Sequence, residues 1–467
     1  MRTLLIENAL VAGMRSADDL HPKGAVWAED GVIRALGSQA RAAAAAAGAR
    51  GEPVERVDAE GLWLFPGFVQ THIHLCQTLL RNGPDDLPLL PWLKTHVWPG
   101  EAAHDEETLF LSARLGLAEL AAGGTTAILD MGTVRHTDAV FRAAEASGLR
   151  VTSGNALMDD PSTNPPYLFA ETEEALAEGE RLFARWHGRA DGRLRFAWCP
   201  RFAVSCTDRI LREAASRALA QGVLVHTHAS ENRDEIELVR NRSGRANIEH
   251  LHDLGIAGPA TVLAHVIHTN EEERRLLAAD GTAVAHCPSS NLKLASGICP
   301  VPDYLSRGIR VTLGADGAPC NDRLDPFSEM RHAALLQKVA SGPAALTAWQ
   351  VARMATAEGA AALGLGDVCG TIEVGKRADL VLLDPSAGFA RPTSWRDDPY
   401  GPLVFAFDRG NVVETRVDGE VVFHRDRRPG RGLAPTAGEI ETAAGRLRER
   451  IAKNVRREPL PPLEGRP

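Results

Sequence analysis

Four short segments of the sequence carry side chains that could bind a single metal ion. These segments are His72-Ile73-His74, His228-Ala229-Ser230-Glu231, His265, and Asp316 in Leu313-Gly314-Ala315-Asp316-Gly317. Imidazole nitrogens and a carboxylate suit zinc or ferrous iron, and an ion that keeps an open coordination position can activate a water molecule. The residue types therefore predict a metal-dependent hydrolase.

Each of these segments stands where an apolar, strand-like run stops. The runs 64–69, 223–225, 262–264 and 311–313 lead into His72, His228, His265 and Asp316, respectively. Repeated strands that end in a candidate ligand are typical of a (β/α)8 barrel, in which the chemistry collects at the carboxyl ends of parallel strands. His72 and His74 are two residues apart on an extended segment, so both side chains point to the same side.

The two ends of the chain differ in pattern from its middle. Short β-rich runs near the N-terminus, with a turn at Glu29-Asp30-Gly31, are matched near the other end by runs that turn at Asp418-Gly419-Glu420. Between them, strands alternate with helical runs. We expect the following organisation: residues 1–60 and 369–430 in one small β-sandwich, residues 61–368 in an α/β TIM-like barrel, and residues 431–467 in a C-terminal helix and tail.

Composition and charge restrict the partners. The chain has 467 residues, of which 44% are apolar and 24% charged, enough for a barrel plus a smaller companion. A net charge of −9 argues against nucleic acid or an anionic membrane surface as the main partner. No apolar run approaches a membrane span, no signal peptide begins the chain, and the seven cysteines form no CxxC pair. We expect a cytoplasmic homo-oligomer with a small-molecule substrate.

The motifs are specific when they are taken together. The segment from Pro66 to His74, the segment from His228 to Glu231, His265, His286-Cys287-Pro288-Ser289-Ser290-Asn291 and Gly314-Ala315-Asp316-Gly317 resemble the amidohydrolase superfamily, in its aromatic deaminase and s-triazine hydrolase branch. The resemblance extends over nearly the whole chain, because residues 370–380 are similar to that family's return to its β-sandwich. One HxH pair alone would be weak evidence, whereas all of these motifs in the family's order are strong.

The resemblance implies a role for each of these residues. By this resemblance, the metal ligands would be His72, His74, His228 and Asp316. They would hold one divalent ion, zinc or alternatively iron. Glu231 would take a proton from the attacking water and pass it to the leaving amine. His265 would orient that water and polarise the ring, and Asp316 would belong to the catalytic set as well as to the ligands. His226, His268 and His286 are expected either to support these groups from behind or to be structural.

One absence bears on the metal count. Two-metal members of the superfamily bridge their ions with a carboxylated lysine at the end of the fourth barrel strand. Here that strand, near residues 194–199, ends in Pro200-Arg201-Phe202 without a lysine. One metal is therefore expected. A non-catalytic structural relative is the alternative from another class, but such a protein should have lost ligands, and this chain keeps all of them.

The substrate is the most open question at the level of sequence. Gln77 and Arg201 resemble the amide and guanidinium that hold the purine carbonyl in guanine deaminases. Other segments, among them 75–81, 85–93 and 291–297, resemble deaminases of 5'-deoxyadenosine and related adenosines. Because more of the chain matches the second group, an adenosine-type substrate is favoured, and guanine deaminase and s-triazine hydrolase are the alternatives. The loop at 81–98 is expected to be a lid, a packed loop or part of a subunit interface.

Overall fold

The computed structural model describes residues 2–83, 86–388, 398–427 and 434–457. Small parts of the predicted loop at 81–98, of the predicted sandwich and of the predicted C-terminal tail lie outside the described residues. The described strands, in chain order, are β1 Thr3–Ala12, β2 Leu20–Glu29, β3 Val32–Leu36, β4 Glu55–Asp58, β5 Trp63–Pro66, β6 Phe68–His74, β7 Thr125–Asp130, β8 Arg150–Ser153, β9 Ala156–Leu157, β10 Leu194–Pro200, β11 Leu224–Ala229, β12 Thr261–His265, β13 Ala283–His286, β14 Val311–Leu313, β15 Asp316–Gly317, β16 Leu380–Leu383, β17 Val412–Val417 and β18 Glu420–His424.

Both ends of the chain contribute strands to one sheet. Its order is β18-β17-β16-β5-β1-β2-β3, and β4 pairs with β1. The sheet returns on itself, since Val32 in β3 forms a bridge with Arg377, just before β16. An aliphatic cluster fills the space inside, and it includes Leu4, Val26, Ile33, Leu64 and Leu380. Both chain ends therefore contribute to a sheet that is separate from the barrel, and the domain bounds at 1–60 and 369–430 stay a prediction.

A parallel barrel occupies the middle of the chain. Its sheet order is β14-β13-β12-β11-β10-β8-β7-β6-β15, and β9 pairs with β10. The first and last members of that order, β14 and β15, are two parts of one strand broken at Gly314 and Ala315. Because β14 pairs with β13 and β15 pairs with β6, the sheet closes into a barrel with eight strand positions. The predicted fold class is confirmed.

Helices cover the outside of the barrel and the first sheet. Those in the described residues are α1 Gly37–Ala49, α2 Leu89–Trp92, α3 Trp98–Ala102, α4 Glu106–Ala122, α5 Thr137–Ser147, α6 Thr172–Trp186, α7 Asp208–Gln221, α8 Arg233–Ser243, α9 Asn247–Asp253, α10 Glu271–Asp280, α11 Pro288–Lys293, α12 Val301–Ser306, α13 Ala318–Asn321, α14 Pro326–Ser341, α15 Ala348–Met354, α16 Ala357–Ala362, α17 Tyr400–Phe405 and α18 Ala437–Arg457. Short 3-10 helices span Leu75–Leu80 and Arg409–Asn411, and a π-helical turn spans Leu93–Val97. Within the described ranges, none of these helices combines the length and the apolar character that crossing a membrane requires.

The segment predicted as a loop at 81–98 contains helical structure. Helix α2, the π-helical turn and α3 follow one another without a break from Leu89 to Ala102. The C-terminal helix α18 packs on α3 and α4. Arg450 of α18 forms an ion pair of 2.5 Å with Asp105 and donates a hydrogen bond to the carbonyl of Ala103. The far end of the chain therefore braces this helical segment.

Candidate active site

The four predicted metal ligands meet at the carboxyl ends of three barrel strand positions. His72 and His74 end β6, His228 lies near the end of β11, and Asp316 begins β15. The Nε2 atoms of His72 and His74 lie 3.2 and 3.4 Å from Oδ1 of Asp316. The Nε2 atoms of His74 and His228 are 3.1 Å apart. Four donors around a tetrahedral zinc, at bonds of 2.0–2.1 Å, are about 3.3 Å from one another, so these atoms are spaced to share one ion.

The hydrogen bonds made by the Nδ1 atoms of His72 and His228 leave the Nε2 atoms of these residues available to bind a metal. Nδ1 of His228 is 2.6 Å from the carbonyl oxygen of Arg201, and because a carbonyl only accepts, this Nδ1 carries the proton. His226 donates in the same way to the carbonyl of Val262 at 2.9 Å, and its Nε2 then accepts from Nδ1 of His72 at 2.8 Å. Nε2 of His72 and of His228 is therefore unprotonated, as a metal ligand must be.

Burial supports the same protonation state. His72, His74 and His228 have pKa values below the ordinary histidine range because burial disfavours the charged ring. Nε2 of His72 is buried and has no hydrogen-bond partner among the described residues. A buried nitrogen without a partner is costly unless an ion binds it. The donor set and its environment therefore fit a divalent metal.

His265 comes close to the same cluster but occupies a different position. The ligand atoms of His72, His228, His265 and Asp316 all lie within 4.8 Å of one another. Nε2 of His265, however, is 3.8 Å from the second oxygen of Asp316, Oδ2. His74 makes shorter contacts, at 3.1 Å with His228 and 3.4 Å with Asp316. Both imidazoles therefore lie near the cluster, and His74 as the fourth ligand, with His265 beside the attacking water, stays a prediction.

Glu231 and His265 form a buried pair next to the cluster. Oε2 of Glu231 is 3.5 Å from Nε2 of His265, and Ser296 donates a hydrogen bond of 3.1 Å to Oε1 of Glu231. Burial raises the pKa of Glu231 to about 7. A carboxyl group with this pKa can both accept and return a proton near neutral pH. Nδ1 of His265 donates to Oδ1 of Asn291 at 2.9 Å, which fixes the ring.

Three site residues have backbone conformations that L-residues seldom adopt. The φ angles of Ser230, His265 and Asp316 are +53°, +71° and +62°. The unusual backbone of His265 accompanies a ring whose Nε2 lies 3.8 Å from Oδ2 of Asp316. Such strain costs about 1–3 kcal/mol per residue and tends to occur at functional sites.

Two supporting residues could not be assigned from the sequence. Asn291 belongs to the motif at 286–291, which indicates the family but no role for this residue. Glu235 lies in a charged stretch at the start of α8, and charged residues on a helix usually face solvent, yet it is fully buried. Its carboxylate accepts the backbone N–H groups of Ser230 and Glu231, and the side chain of Asn247 also donates to it. The signal for Glu235 was its position three residues after Asn232, which forms a capping box at the start of α8.

Gln77 and Arg201 lie together, joined by a carboxylate that sequence reasoning missed. Arg201 is buried and its Nη1 and Nη2 donate to the two oxygens of Glu101 at 2.5 and 3.1 Å. Nε2 of Gln77 donates to Oε1 of Glu101 at 2.8 Å. The opposite atom of the amide, Gln77 Oε1, is buried and has no partner among the described residues. Nothing in the sequence links Glu101 in α3 to an arginine a hundred positions later.

Two predicted supporting histidines, His268 and His286, are not among the residues that line the cleft. His268 is half-buried and its Nε2 donates to the carbonyl of Ser296, so it supports the serine that contacts Glu231. His286 is fully buried, and neither ring nitrogen has a partner within the described part of the chain.

All seven cysteines are free and buried, as expected for apolar packing residues. Gly314 has no room for a Cβ atom, which would lie 2.7 Å from the carbonyl oxygen of His72.

A cleft opens onto this cluster. It encloses about 430 Å³, counting the space open to solvent at its mouth. The polar part of the lining consists of His74, Gln77, Arg201, His228, Glu231, Glu235, His265 and Asp316. The apolar part comprises Leu89, Trp92, Leu93, Phe202 and Leu294. A concave site that combines apolar side chains with convergent polar groups is typical of small-molecule binding.

The fold and the site together define a class of protein. A closed parallel barrel with imidazoles and an aspartate at the carboxyl ends of its strands is the architecture of a metal-dependent hydrolase. The chain belongs to the amidohydrolase family, whose model matches residues 63–422. It is therefore a hydrolase that acts on carbon–nitrogen bonds other than peptide bonds.

Similar proteins agree with that assignment. The chain is 37% identical to the 5-methylthioadenosine/S-adenosylhomocysteine deaminase of Symbiobacterium thermophilum over 452 residues, which are 96% of this chain and 99% of that protein. It is 39% identical to the 5'-deoxyadenosine deaminase of Methanothermobacter thermautotrophicus over 367 residues, 78% of this chain and 83% of that protein. A crystal structure of an adenosine deaminase from Xanthomonas campestris with bound zinc has a TM-score of 0.86 at 31% identity, covering 96% of this chain and 98% of that chain. The family resemblance read from the motifs is confirmed.

Proposed function

We propose that the protein removes the amino group of adenosine-type nucleosides by hydrolysis and releases ammonia. The candidate substrates are 5'-deoxyadenosine, methylthioadenosine, S-adenosylhomocysteine and adenosine. One divalent ion per chain, zinc in the first place and iron as the alternative, would be held by His72, His74, His228 and Asp316. The observation that carries the proposal is the buried carboxylate of Glu231 beside that cluster, with a pKa of about 7.

Each residue of the site has a defined part in this reaction. When bound, a divalent ion supplies a hydroxide nucleophile near neutral pH. Glu231 accepts the proton of the attacking water and delivers it to the ring nitrogen next to the attacked carbon. That delivery neutralises the negative charge that develops on this nitrogen as the new carbon–oxygen bond forms. Glu231, again unprotonated, then takes the second proton from the hydroxyl group on the attacked carbon and passes it to the amine. The carbon–nitrogen bond breaks, the hydroxyl oxygen becomes a carbonyl, and ammonia leaves. His265, held by Asn291, orients the water and contacts the developing charge.

The hydrogen bonds of Gln77 and Arg201 support an adenosine-type substrate over guanine. In a guanine deaminase these donors would have to reach the ring carbonyl. Here the donors are directed at Glu101, and the atom of Gln77 without a partner is its acceptor oxygen. A carbonyl cannot satisfy an acceptor, whereas a sugar hydroxyl can donate to it. The names of the relatives, which include deaminases of adenosine-type nucleosides, support the same choice.

The proposal extends to the setting of the enzyme. We place it in the cytoplasm as a homo-oligomer that works on a small heteroaromatic molecule and has no nucleic-acid partner. The net charge of −9 supports the last point, because phosphate-binding surfaces are basic. The cysteines, all buried and free, are consistent with a reducing compartment.

An ammonia-release screen tests the function. Purified, zinc-loaded protein is offered the four adenosine-type nucleosides, guanine and hydroxylated s-triazines, with Glu231→Gln as the blank for contaminating deaminases. We expect turnover of one or more of the nucleosides and none by the blank. Efficient guanine turnover without any on the nucleosides would make the protein a guanine deaminase. Release from the triazines alone would point to that branch instead.

A further inference from the structure

The cleft is lined in part by apolar side chains that take no part in the proposed proton transfers. Leu89, Trp92 and Leu93, from α2 and the π-helical turn, line the cleft together with Phe202 and Leu294. All five side chains are buried, and none is more than 7% exposed. The reacting carbon must sit at the metal cluster, so the far end of a nucleoside has to extend along this apolar wall.

The charged groups that line the cleft are already engaged. The lining residues within the described part of the chain include one cation, Arg201, and both of its terminal nitrogens donate to Glu101. The carboxylate of Glu235 accepts backbone N–H groups and the amide of Asn247. Glu231 and Asp316 belong to the reaction centre. Among the described lining residues, a carboxylate on the substrate would therefore find no free cation, and it would lose its hydration without compensation.

We propose that the cleft selects, among adenosine-type nucleosides, those whose 5' substituent is small and uncharged. A 5'-methyl or methylthio group packs against the leucines, Trp92 and Phe202, whereas a 5'-linked amino acid carries a carboxylate and an ammonium into the same space. This inference rests on the proposed function, since it assumes an adenosine ring at the metal cluster. It identifies Leu89, Trp92 and Leu93 as specificity-determining residues.

Two substrates isolate the effect of the wall. Methylthioadenosine and S-adenosylhomocysteine share the ring, the sugar and the sulfur. They differ in the second group on the sulfur, which is a methyl group in the first and a charged amino-acid chain in the second. We expect kcat/KM for methylthioadenosine to exceed that for S-adenosylhomocysteine by about 10²-fold or more, because an unpaired charge in an apolar site is rejected far more strongly than a change in size. 5'-Deoxyadenosine should group with methylthioadenosine.

A cation introduced on the wall should reduce the difference in kcat/KM between methylthioadenosine and S-adenosylhomocysteine. Leu93→Arg places a guanidinium where the amino-acid carboxylate would lie, so the kcat/KM ratio should fall at least about tenfold, through better use of S-adenosylhomocysteine. The matched control is Leu219→Arg, at a leucine on α7 that is 86% exposed and does not line the cleft. Leu89→Arg is the second variant should Leu93→Arg fail to fold, and the wild-type ratio tests the proposal without any variant.

The outcomes separate this inference from the proposed function. Equal or better use of S-adenosylhomocysteine by the wild type would overturn the inference and leave adenosine-type deamination intact. An unchanged ratio in a folded Leu93→Arg enzyme would also contradict the role of the wall. If no adenosine-type nucleoside is turned over while guanine or a triazine is, the proposed function fails, and the inference fails with it.

Discussion

The metal cluster and the wall of the cleft are positioned by different kinds of structure. His72, His74, His228 and Asp316 lie on or directly beside barrel strands, whose closure brings the side chains together. Three of the five wall residues, Leu89, Trp92 and Leu93, lie on the helical segment from Leu89 to Ala102. That segment is attached to the barrel through Glu101 and Arg201 and contacts α18 on its outer side. The comparison indicates that the barrel strands position the residues of the reaction. The choice of substrate depends instead on a helical segment, which is held in place by contacts outside the metal cluster.

The largest expected effect comes from breaking the metal cluster. Asp316→Ala removes the ligand that contacts both His72 and His74, so metal content should fall to near zero and ammonia release should become undetectable. Elemental analysis and circular dichroism check the metal and the fold. Asp367→Ala, at an exposed aspartate outside the site, serves as the control. Close to two metals per wild-type chain, or full activity after exhaustive chelation, would be incompatible with a single catalytic ion.

The next largest effect concerns proton transfer. Glu231→Gln keeps the size and hydrogen bonding of the side chain but cannot carry a proton, so turnover should fall about 10²–10⁴-fold while metal stays bound. Glu237→Gln, at an exposed position on α8, is the matched control. Metal loss in Glu231→Gln would instead make Glu231 a ligand, and near-normal turnover would remove it from the mechanism.

The pH dependence of kcat/KM is a second test of the role of Glu231 in proton transfer. Burial raises the pKa of Glu231 to about 7, and the residue must be deprotonated to accept a proton from water. In the wild type, kcat/KM should therefore fall as the pH drops below about 7, and it should level off above that value. The residual activity of Glu231→Gln should lose this acidic limb. An unchanged limb in the variant would assign it to another group.

A smaller effect on catalysis is expected at the junction of the two regions. Arg201→Ala leaves Glu101 as a buried unpaired charge, so stability should fall by about 3–5 kcal/mol. Glu101 also holds Gln77, whose oxygen is proposed to accept from a sugar hydroxyl. Disturbing this arrangement should raise KM for an adenosine-type nucleoside about tenfold with little change in kcat, and the loss should shrink for substrates trimmed at the sugar. Arg201→Ala combined with Glu101→Gln should recover part of the stability, as chemical denaturation would reveal. An equal loss of kcat and kcat/KM would place Arg201 in the transition state instead.

The smallest effect is expected from the outer brace. Arg450 and Asp105 are more than a third exposed, so Arg450→Ala should lower the free energy of unfolding by less than about 1 kcal/mol. Any change in kinetics should be confined to KM, since the metal cluster does not touch α18. Arg448→Ala on the same helix is the control. A large loss of kcat would contradict the division of roles between barrel and wall.

The sequence predicted the barrel and its metal cluster because both depend on local patterns. An apolar run followed by a ligand, repeated along the chain, is sufficient to place His72, His228, His265 and Asp316 at one end of a parallel sheet. Glu101 could not be found in this way, since its partners Gln77 and Arg201 are brought to it by tertiary structure alone. Glu235 could not be singled out either, because a charged residue on a helix usually faces solvent, whereas here its carboxylate accepts the backbone N–H of Glu231.

A competition experiment tests the central claim most directly. Zinc-loaded protein receives equal concentrations of 5'-deoxyadenosine and guanine in one reaction, and the ratio of the two deaminated products gives the ratio of kcat/KM values. Because the donors near Gln77 are directed at Glu101 and the acceptor oxygen is left for a sugar hydroxyl, we predict that 5'-deoxyinosine exceeds xanthine by about 10²-fold or more. An excess of xanthine would contradict the account.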